Sequence, residues 1–476
     1  MTRRTPTKDT LDRLAAVVGT GHAIAEPPAM AAYLHELRER WIGRAALVLR
    51  PGSVEEVQRI LAIASETATA IVPQGGNTGL VGAQIPFESG DEVVLSLTRL
   101  NRIRDVDPVD NSITAEAGVT LKAVQDAAEA VDRFFPLTLG SEGSCTIGGN
   151  LATNAGGVGV LAYGNARALA LGLEVVLADG RRLDGLRRLR KDNTGYDLRN
   201  IFIGSEGTLG VITAATLTLF PHPRDRVTAF AATPDPKAAL DLLNLARARS
   251  GNRVTAMEIL PRIGLEFTIS HGGVRDPFAA PSPWYVLLEL AGGDAVGSLQ
   301  PIAEEIFAEA LETGLVSDAV VARSVAQASD LWNIREQLPL VQKFEGGSIK
   351  HDVAVPVSRV PEFLDRATRA VLAAMPDARP VPFGHIGDGN IHFNVTQPEG
   401  MDKARFLART EEIGAAVYEV VMALGGSISA EHGIGRLKRD LMPDIKSPVE
   451  LGLMLGLKAM LDPKGILNPG KVLPDG

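Results

Sequence analysis

PQGGNTGLVG, residues 73–82, crowds glycine, asparagine and threonine together directly behind AIVP, a short apolar stretch with the look of a strand. Glycine lets consecutive backbone N–H groups converge on an anion, and Asn, Ser and Thr beside it add neutral donors. Two further stretches repeat this composition: LGSEGSCTIGGNLATNAGG at 139–157 and GSEGTLGVIT at 204–213. One such loop alone reads as a tight turn. Three within one domain read as a cradle for a pyrophosphate. They do not form the nicotinamide-type dinucleotide fingerprint, because the GxGxxA match from Gly157 to Ala162 follows a loop and not a strand.

Around these loops the chain reads as mixed strand and helix. AALVLRP (45–51) is a strand, and Ser53 with Glu56 starts the helix VEEVQRILAIAS as a capping box. EVVLSL and SITAEAG are strands, LKAVQDAAEAV is a helix, and GLEVVLADGRRL is a hairpin turning on Asp179 and Gly180. After Pro221 and Pro223 the glycine clusters stop, and helices alternate with strands such as WYVLLEL, IKHDVAVPV and NIHFNV. Ser447, Pro448 and Glu450 begin a last helix. The expected organisation is an α+β first domain over 1–222, a second α/β domain with an antiparallel sheet over 223–428, and a segment over 429–476 that returns to the first.

Composition narrows the partners. With 476 residues and a formal charge of −9, the chain is an unsuitable partner for nucleic acid or an anionic membrane, and an anionic substrate needs local cations to hold it. Its one cysteine, Cys145, excludes an internal disulfide framework, reads as packed, and suits a reducing compartment. MTRRTPTKDTLDRLAAV is basic without an apolar segment behind it, so no secretory signal or membrane span is visible. The cytoplasm is the expected compartment, with a short organellar presequence left open.

Taken together, PQGGNTGLVG, GSEGSCTIGGNLATNAGG, YGNARAL, DNTGYDLRNIFIGSEGTLGVIT and NPGKVLP resemble the FAD-binding fold of the vanillyl-alcohol oxidase and p-cresol methylhydroxylase superfamily. The second half is similar to the D-2-hydroxyacid dehydrogenases of that superfamily, which act on D-2-hydroxyglutarate, D-lactate or glycolate. The resemblance implies two FAD-binding subdomains of p-cresol methylhydroxylase type and a substrate-binding cap domain. It implies FAD with its pyrophosphate on the 75–79 loop and its ring facing the second domain. By motif match the cofactor is lined by Pro73, Gly75, Gly76, Asn77, Thr78, Gly79, Leu80, Gly140, Ser141, Thr146, Gly148, Gly149, Asn150, Ala152, Thr153, Gly157, Glu206, Gly207, Ile212, Asn468 and Lys471. Some relatives attach the flavin through a histidine. No histidine occurs between His35 and His222, so non-covalent FAD is expected.

GHIGDGNIHFN, residues 384–394, holds two of the eight histidines. With Asp388 and Gly389 as the centre of a two-residue type I′ turn, His385 falls opposite His392 and Phe383 opposite Asn394, with Cβ atoms about 5 Å apart across the pair. Two packed histidines and a metal pair are both compatible with that hairpin. SAEHGIGRLK (429–438) adds Glu431 and His432. Two imidazoles and a carboxylate leave coordination open for substrate, as in catalytic zinc sites, although iron or manganese can use similar ligands. The resemblance implies His385, His392 and Glu431 as ligands of a divalent metal, expected to be zinc. His432 is the expected general base, provided the local turn brings it round from the face opposite Glu431.

Arg335 lies beside the apolar helical stripe of DLWNIREQLPLV, and Lys350 alternates to the opposite face from Ile349 and Val353 in SIKHDVAVPV. By spacing alone both are surface cations, and His351 is a core histidine. The resemblance makes Arg335 and Lys350, with Asn394, the holders of a substrate. A metal chelating the C2 hydroxyl and C1 carboxylate leaves two cations for a distal carboxylate, which favours D-2-hydroxyglutarate. Pro339 departs from the family pattern, since some relatives carry a hydroxyl there. The expected reaction is FAD-dependent, metal-assisted oxidation of a D-2-hydroxy acid to the 2-oxo acid by hydride transfer to flavin N5. D-lactate, D-malate or glycolate as substrate, and a flavin subunit that only relays electrons, are the alternatives. A protein or quinone is the expected electron acceptor and a homodimer the expected assembly, neither with a motif behind it.

Overall fold

Strand Ala70–Gln74 runs parallel to Glu92–Ser96, which runs parallel to Leu47–Leu49, and residue by residue these strands are almost wholly buried. Apolar runs of this kind are what a parallel strand covered on both faces requires. Helix Val54–Thr67 packs its Val57, Ile60 and Leu61 face against them. Ser53 caps it by accepting from the Glu56 amide, a contact whose loss costs about 1 kcal/mol. The Glu56 carboxylate reaches back to the amide of Gly52 and not to that of Ser53.

This computed structural model describes residues 5–474, so the first four residues of the basic opening segment lie outside the described residues. The chain divides into two compact units. One takes the residues through Gly157, Gly164–His222 and Glu431 onward, and the other takes Val158–Tyr163 and Pro223–Ala430.

In the first unit, a second sheet is antiparallel, in the order Ile103–Asp107, Ser112–Glu116, Val211–Thr218, Ala170–Val176, Arg182–Gly185. The expected hairpin at Asp179 and Gly180 is present: Gly180 has φ +86° and Asp179 accepts from the Arg181 amide. The last residues return to the parallel sheet, where Leu467 bridges Ile71, and Asn468 N donates to Ile71 O at 2.8 Å. Cys145 is buried, as read, and burial pushes its thiol pKa up.

The second unit is an eight-stranded sheet. Its order is Asp318–Val321, Asp225–Thr233, Trp284–Gly292, Val254–Pro261, Arg379–His385, Asn390–Thr396, then Ser348–Ile349, with Asp352–Ala354 also on Asn390–Thr396. Every pairing is antiparallel. Alternation sorts the strands into two faces. Met257, Ile259, Ile391, Phe393 and Val395 face helices Pro236–Ser250, Leu299–Glu312, Val360–Ala374 and Thr410–Ala423. Leu260, Leu287, Val381 and Phe383 face helices Arg262–His271 and Val325–Val341. The expected single strand through IKHDVAVPV is two short ones, interrupted at Lys350 and His351. The sequence reading keeps 158–163 with the first domain, whereas the structure packs Leu161 onto the core of the second unit.

Candidate functional site

In the first unit the glycine loops meet. The 75–79 loop leaves strand Ala70–Gln74, and it lies so close to the 144–146 segment that glycine is obligatory. A Cβ on Gly76 would sit 1.8 Å from Ser144 O, and one on Gly75 would sit 2.3 Å from Thr146 Oγ1. Asn77 takes φ +55°, held by its side-chain amide on the carbonyls of Ala32 and His35. Among the described residues, the amides of Gly75, Gly76, Asn77, Thr78 and Gly79 bond to no protein acceptor. The buried Asn77 Oδ1, Thr146 Oγ1 and Asn468 Oδ1 are likewise unpartnered. Half-buried amides in a row beside the Thr146 hydroxyl are donors that a phosphate-bearing ligand satisfies, while the amide oxygens of Asn77 and Asn468 are left to accept from hydroxyl or amino groups of such a ligand.

Most of the other residues expected around a cofactor join this region. Gly207, at φ +73°, packs on Pro73, and Asn468 donates to Glu206 O. Gly148 has room for no side chain against Ala117. Asn150 and Thr153 make local bonds to Cys145 Sγ and Gly149 O. Leu80 and Ser141 are half-buried, and Gly149 and Ala152 lie in helix Ile147–Ala152. A Cβ on Gly140 would meet open space. Ile212 is a buried strand residue paired with Val175, and Lys471 is buried with its ammonium on Ile85 O and over the Phe87 ring.

Glu206 has a task that its sequence context hides. Its two oxygens accept from the amides of Ile434 and Gly435, fixing the turn that follows His432. Burial pushes its carboxyl up to about 7 against the pull of those amides and of Lys438. Gly433 turns at φ +85°, supplying the change of direction after His432. Glu431 Oε1 accepts from Gly157 N at 2.5 Å, so one point where the chain leaves the first unit is tied to the point where it re-enters that unit after residue 430.

In the second unit, a polar patch occupies the sheet face that Val381 and Phe383 otherwise make apolar. The hairpin differs from the expected register. His385 pairs with Asn390 and Phe383 with His392, so the loop has four residues, Ile386, Gly387, Asp388 and Gly389. Asp388 is not in the positive-φ conformation that a type I′ turn demands. Its carboxylate instead caps the Asn390 amide, while Gly389 turns at φ +86°. A slip of two residues keeps every side chain on its face. His385 and His392 are therefore diagonal neighbours, with ring centroids 5.5 Å apart.

Glu258, from strand Val254–Pro261, is the cross-strand partner of His385. Its Oε1 lies 2.5 Å from His385 Nδ1 and its Oε2 accepts from Arg335 Nε at 2.6 Å. Burial alone would raise its pKa, but the charges and hydrogen bonds of His385 and Arg335 prevail and hold it at about 2. Arg335 lies over the Phe383 ring, and among the described residues its Nη1 and Nη2 donate to no protein group. Asp352 is the register partner of His392 and accepts from Asn390 Nδ2, while Asn390 Oδ1 is buried without a partner. Asn394 is buried and donates to Gln342, and Lys350 is half-buried at the strand interruption. His351 is the core histidine expected, with Nδ1 on Phe393 O.

Neither Glu258 nor Asn390 is among the site residues read from the sequence. The signal for Glu258 was a lone acid inside VTAMEILP, since an acid in a buried strand must find a cation.

Two family models match the chain: "FAD binding domain" over residues 45–185 and "FAD linked oxidases, C-terminal domain" over residues 222–472. A D-2-hydroxyglutarate dehydrogenase of Xanthomonas citri pv. viticola is 39% identical over 94% of this chain and 93% of its own length. A mitochondrial D-2-hydroxyglutarate dehydrogenase of Arabidopsis thaliana is 39% identical over 91% of this chain and 76% of its own. Among solved structures, p-cresol methylhydroxylase with substrate bound superimposes with TM-score 0.75 at 17% identity, covering 98% of this chain and 96% of that one. Alkyldihydroxyacetonephosphate synthase does so with TM-score 0.74 at 19% identity, covering 98% and 86%. At such identities these two show the shared fold.

Proposed function

Because this chain belongs to the FAD-linked oxidase family and is closely similar in sequence to D-2-hydroxyglutarate dehydrogenases, we propose that it oxidises D-2-hydroxyglutarate to the 2-oxo acid with FAD. The observation that carries the substrate assignment is the shared carboxylate of Glu258, which binds both Arg335 and His385 and so sets a cation for the substrate beside an expected metal ligand.

The first unit's part is to hold the cofactor without a covalent bond. The amides of the 75–79 loop and the Thr146 hydroxyl donate to the pyrophosphate, and the Asn77 and Asn468 amide oxygens accept from donor groups elsewhere on the cofactor. When bound, FAD supplies the two-electron acceptor for the hydride.

In the second unit, Arg335 offers the two-pronged edge of its guanidinium to the distal carboxylate, and Lys350 adds a second charge. Asn394 orients the same acid. His385 and His392 bind a divalent ion, proposed as zinc, with Glu431 as third ligand. Chain continuity supports that third member, since Ala430 N donates to Asp352 O and Asp352 faces His392. Held by these residues, a divalent ion would supply Lewis acidity that lowers the pKa of the substrate hydroxyl. His432, on the turn fixed by Glu206, receives that proton.

No helix among the described residues is long and apolar enough to cross a membrane. A reducing compartment such as the cytoplasm suits the single buried cysteine, and the electrons are proposed to leave the flavin for a protein or a quinone.

Anaerobic flavin bleaching against a panel of D- and L-2-hydroxy acids tests the reading. D-2-hydroxyglutarate is expected to bleach the flavin fastest, and prior chelation to slow that reaction. Equal bleaching by D-lactate would overturn the substrate assignment, and bleaching indifferent to chelation would remove the ion from the mechanism.

A further inference from the structure

His385 Nδ1 faces a carboxylate that only accepts, so Nδ1 carries a proton and Nε2 is the nitrogen left to ligate an ion. The same carboxylate takes Arg335 through Nε, which directs the Nη1 and Nη2 edge away from Glu258. Each oxygen of Glu258 serves one donor, and the strand register that pairs Glu258 with His385 fixes where both donors stand. Glu258 is fully buried, so solvent does not replace either bond.

From this geometry we infer that Glu258 is a positioning residue that couples metal affinity to recognition of the substrate's distal carboxylate. It holds His385 in the tautomer that can ligate an ion, and it holds Arg335 with its two-pronged edge presented. The inference rests on the proposed function, in which His385 is a ligand and Arg335 a substrate cation. Coupling follows because one rigid group positions both. Whatever displaces Glu258 weakens two binding events at once. A buried ion pair that served only stability would instead change the melting temperature and leave both affinities intact.

Glu258→Gln separates the two cases. The glutamine amide keeps the volume but presents an N–H where a donor already stands. Facing His385, it forces Nδ1 to accept, which moves the proton to Nε2 and blocks the ion. Facing Arg335, it repels Nε–H and tilts the guanidinium. The measurement uses FAD-loaded, full-length protein stripped of metal and titrated with Zn²⁺ against a chromophoric chelator. Zinc affinity is expected to fall roughly 10- to 100-fold, the usual effect of removing the carboxylate behind a ligating histidine. At saturating zinc, kcat/KM for D-2-hydroxyglutarate is expected to fall about tenfold more than that for D-lactate, the loss lying in KM.

Glu258→Asp keeps the charge on a shorter arm and is expected to give smaller losses of both kinds. It also serves as the test if the glutamine variant does not fold, as judged by melting temperature and bound FAD. A folded variant that binds zinc within about twofold of the parent, or that leaves the D-2-hydroxyglutarate to D-lactate ratio unchanged, overturns the inference. His392→Ala identifies the other failure. If it too leaves zinc affinity unchanged, the ion is not at this hairpin and the proposed function fails first. If it abolishes zinc binding while Glu258→Gln does not, the positioning role alone is lost.

Discussion

His385 and His392 stand on one face of their hairpin without being cross-strand partners: their rings are 5.5 Å apart, while their backbones pair with Asn390 and Phe383 respectively. The diagonal places a different residue beside each imidazole. His385 meets Glu258, and His392 meets the Phe383 ring and Asp352. The two ligands of one proposed ion therefore have unlike surroundings, one held by a short charged bond and the other by ring packing.

The closeness of Gly76 to Ser144 O makes a direct expectation. Gly76→Ala puts a methyl group where 1.8 Å of space exists against backbone, so the loop or the 144–146 segment must move. The expected cost is about 1–3 kcal/mol, the ordinary range for forced overpacking, with a larger relative loss of FAD than of fold. The ratio of flavin to protein absorbance in the purified variant, set beside its melting temperature, checks this.

Glu206 gives stability a pH dependence of definite sign. Its folded pKa of about 7 lies above the ordinary carboxyl value, because burial disfavours the anion more than Ile434, Gly435 and Lys438 favour it. Its contribution is then fully present below about pH 4.5 and is lost as pH rises through 7, by up to about 3 kcal/mol. Glu206→Gln removes that slope. Thermal unfolding of both proteins between pH 4.5 and 8 should give curves whose separation changes across this window. A constant separation would show that Glu206 does not titrate there.

Arg335→Lys tests the two-pronged contact. Lysine keeps the charge but loses both the Glu258 bond through Nε and the planar edge. KM for D-2-hydroxyglutarate is expected to rise about tenfold or more while D-lactate, which has no distal carboxylate, is little affected. Steady-state kinetics on the two acids decides it, and equal effects on both would place Arg335 outside the distal carboxylate subsite.

The glycine loops were legible because their chemistry is local. PQGGNTGLVG states its own backbone demand, and its contact with Ser144 and Thr146 only adds the reason that Gly75 and Gly76 are needed. The capping box at Ser447 and Glu450 is legible in the same way and is present in full. The turn at Asp388 was misread because an Asp-Gly pair suits both a two-residue turn and an Asp that caps the amide two residues on. The histidines still share a face because the error was an even number of residues. Glu258 was out of reach for another reason. Its partners lie 77 and 127 residues further along the chain, and only the sheet order brings them together. Likewise, nothing in VGVLAY marks it as belonging with the second unit, since its role is set by a core built from residues beyond 223.

Ile71, in the strand that leads into the 75–79 loop, takes its backbone partners from residues 466 and 468, remote in sequence. The strand behind the anion cradle is therefore completed by that distant segment, and a ligand seated on the cradle draws on the integrity of both. Loosening 466–468 would slacken the cradle without altering any residue in it.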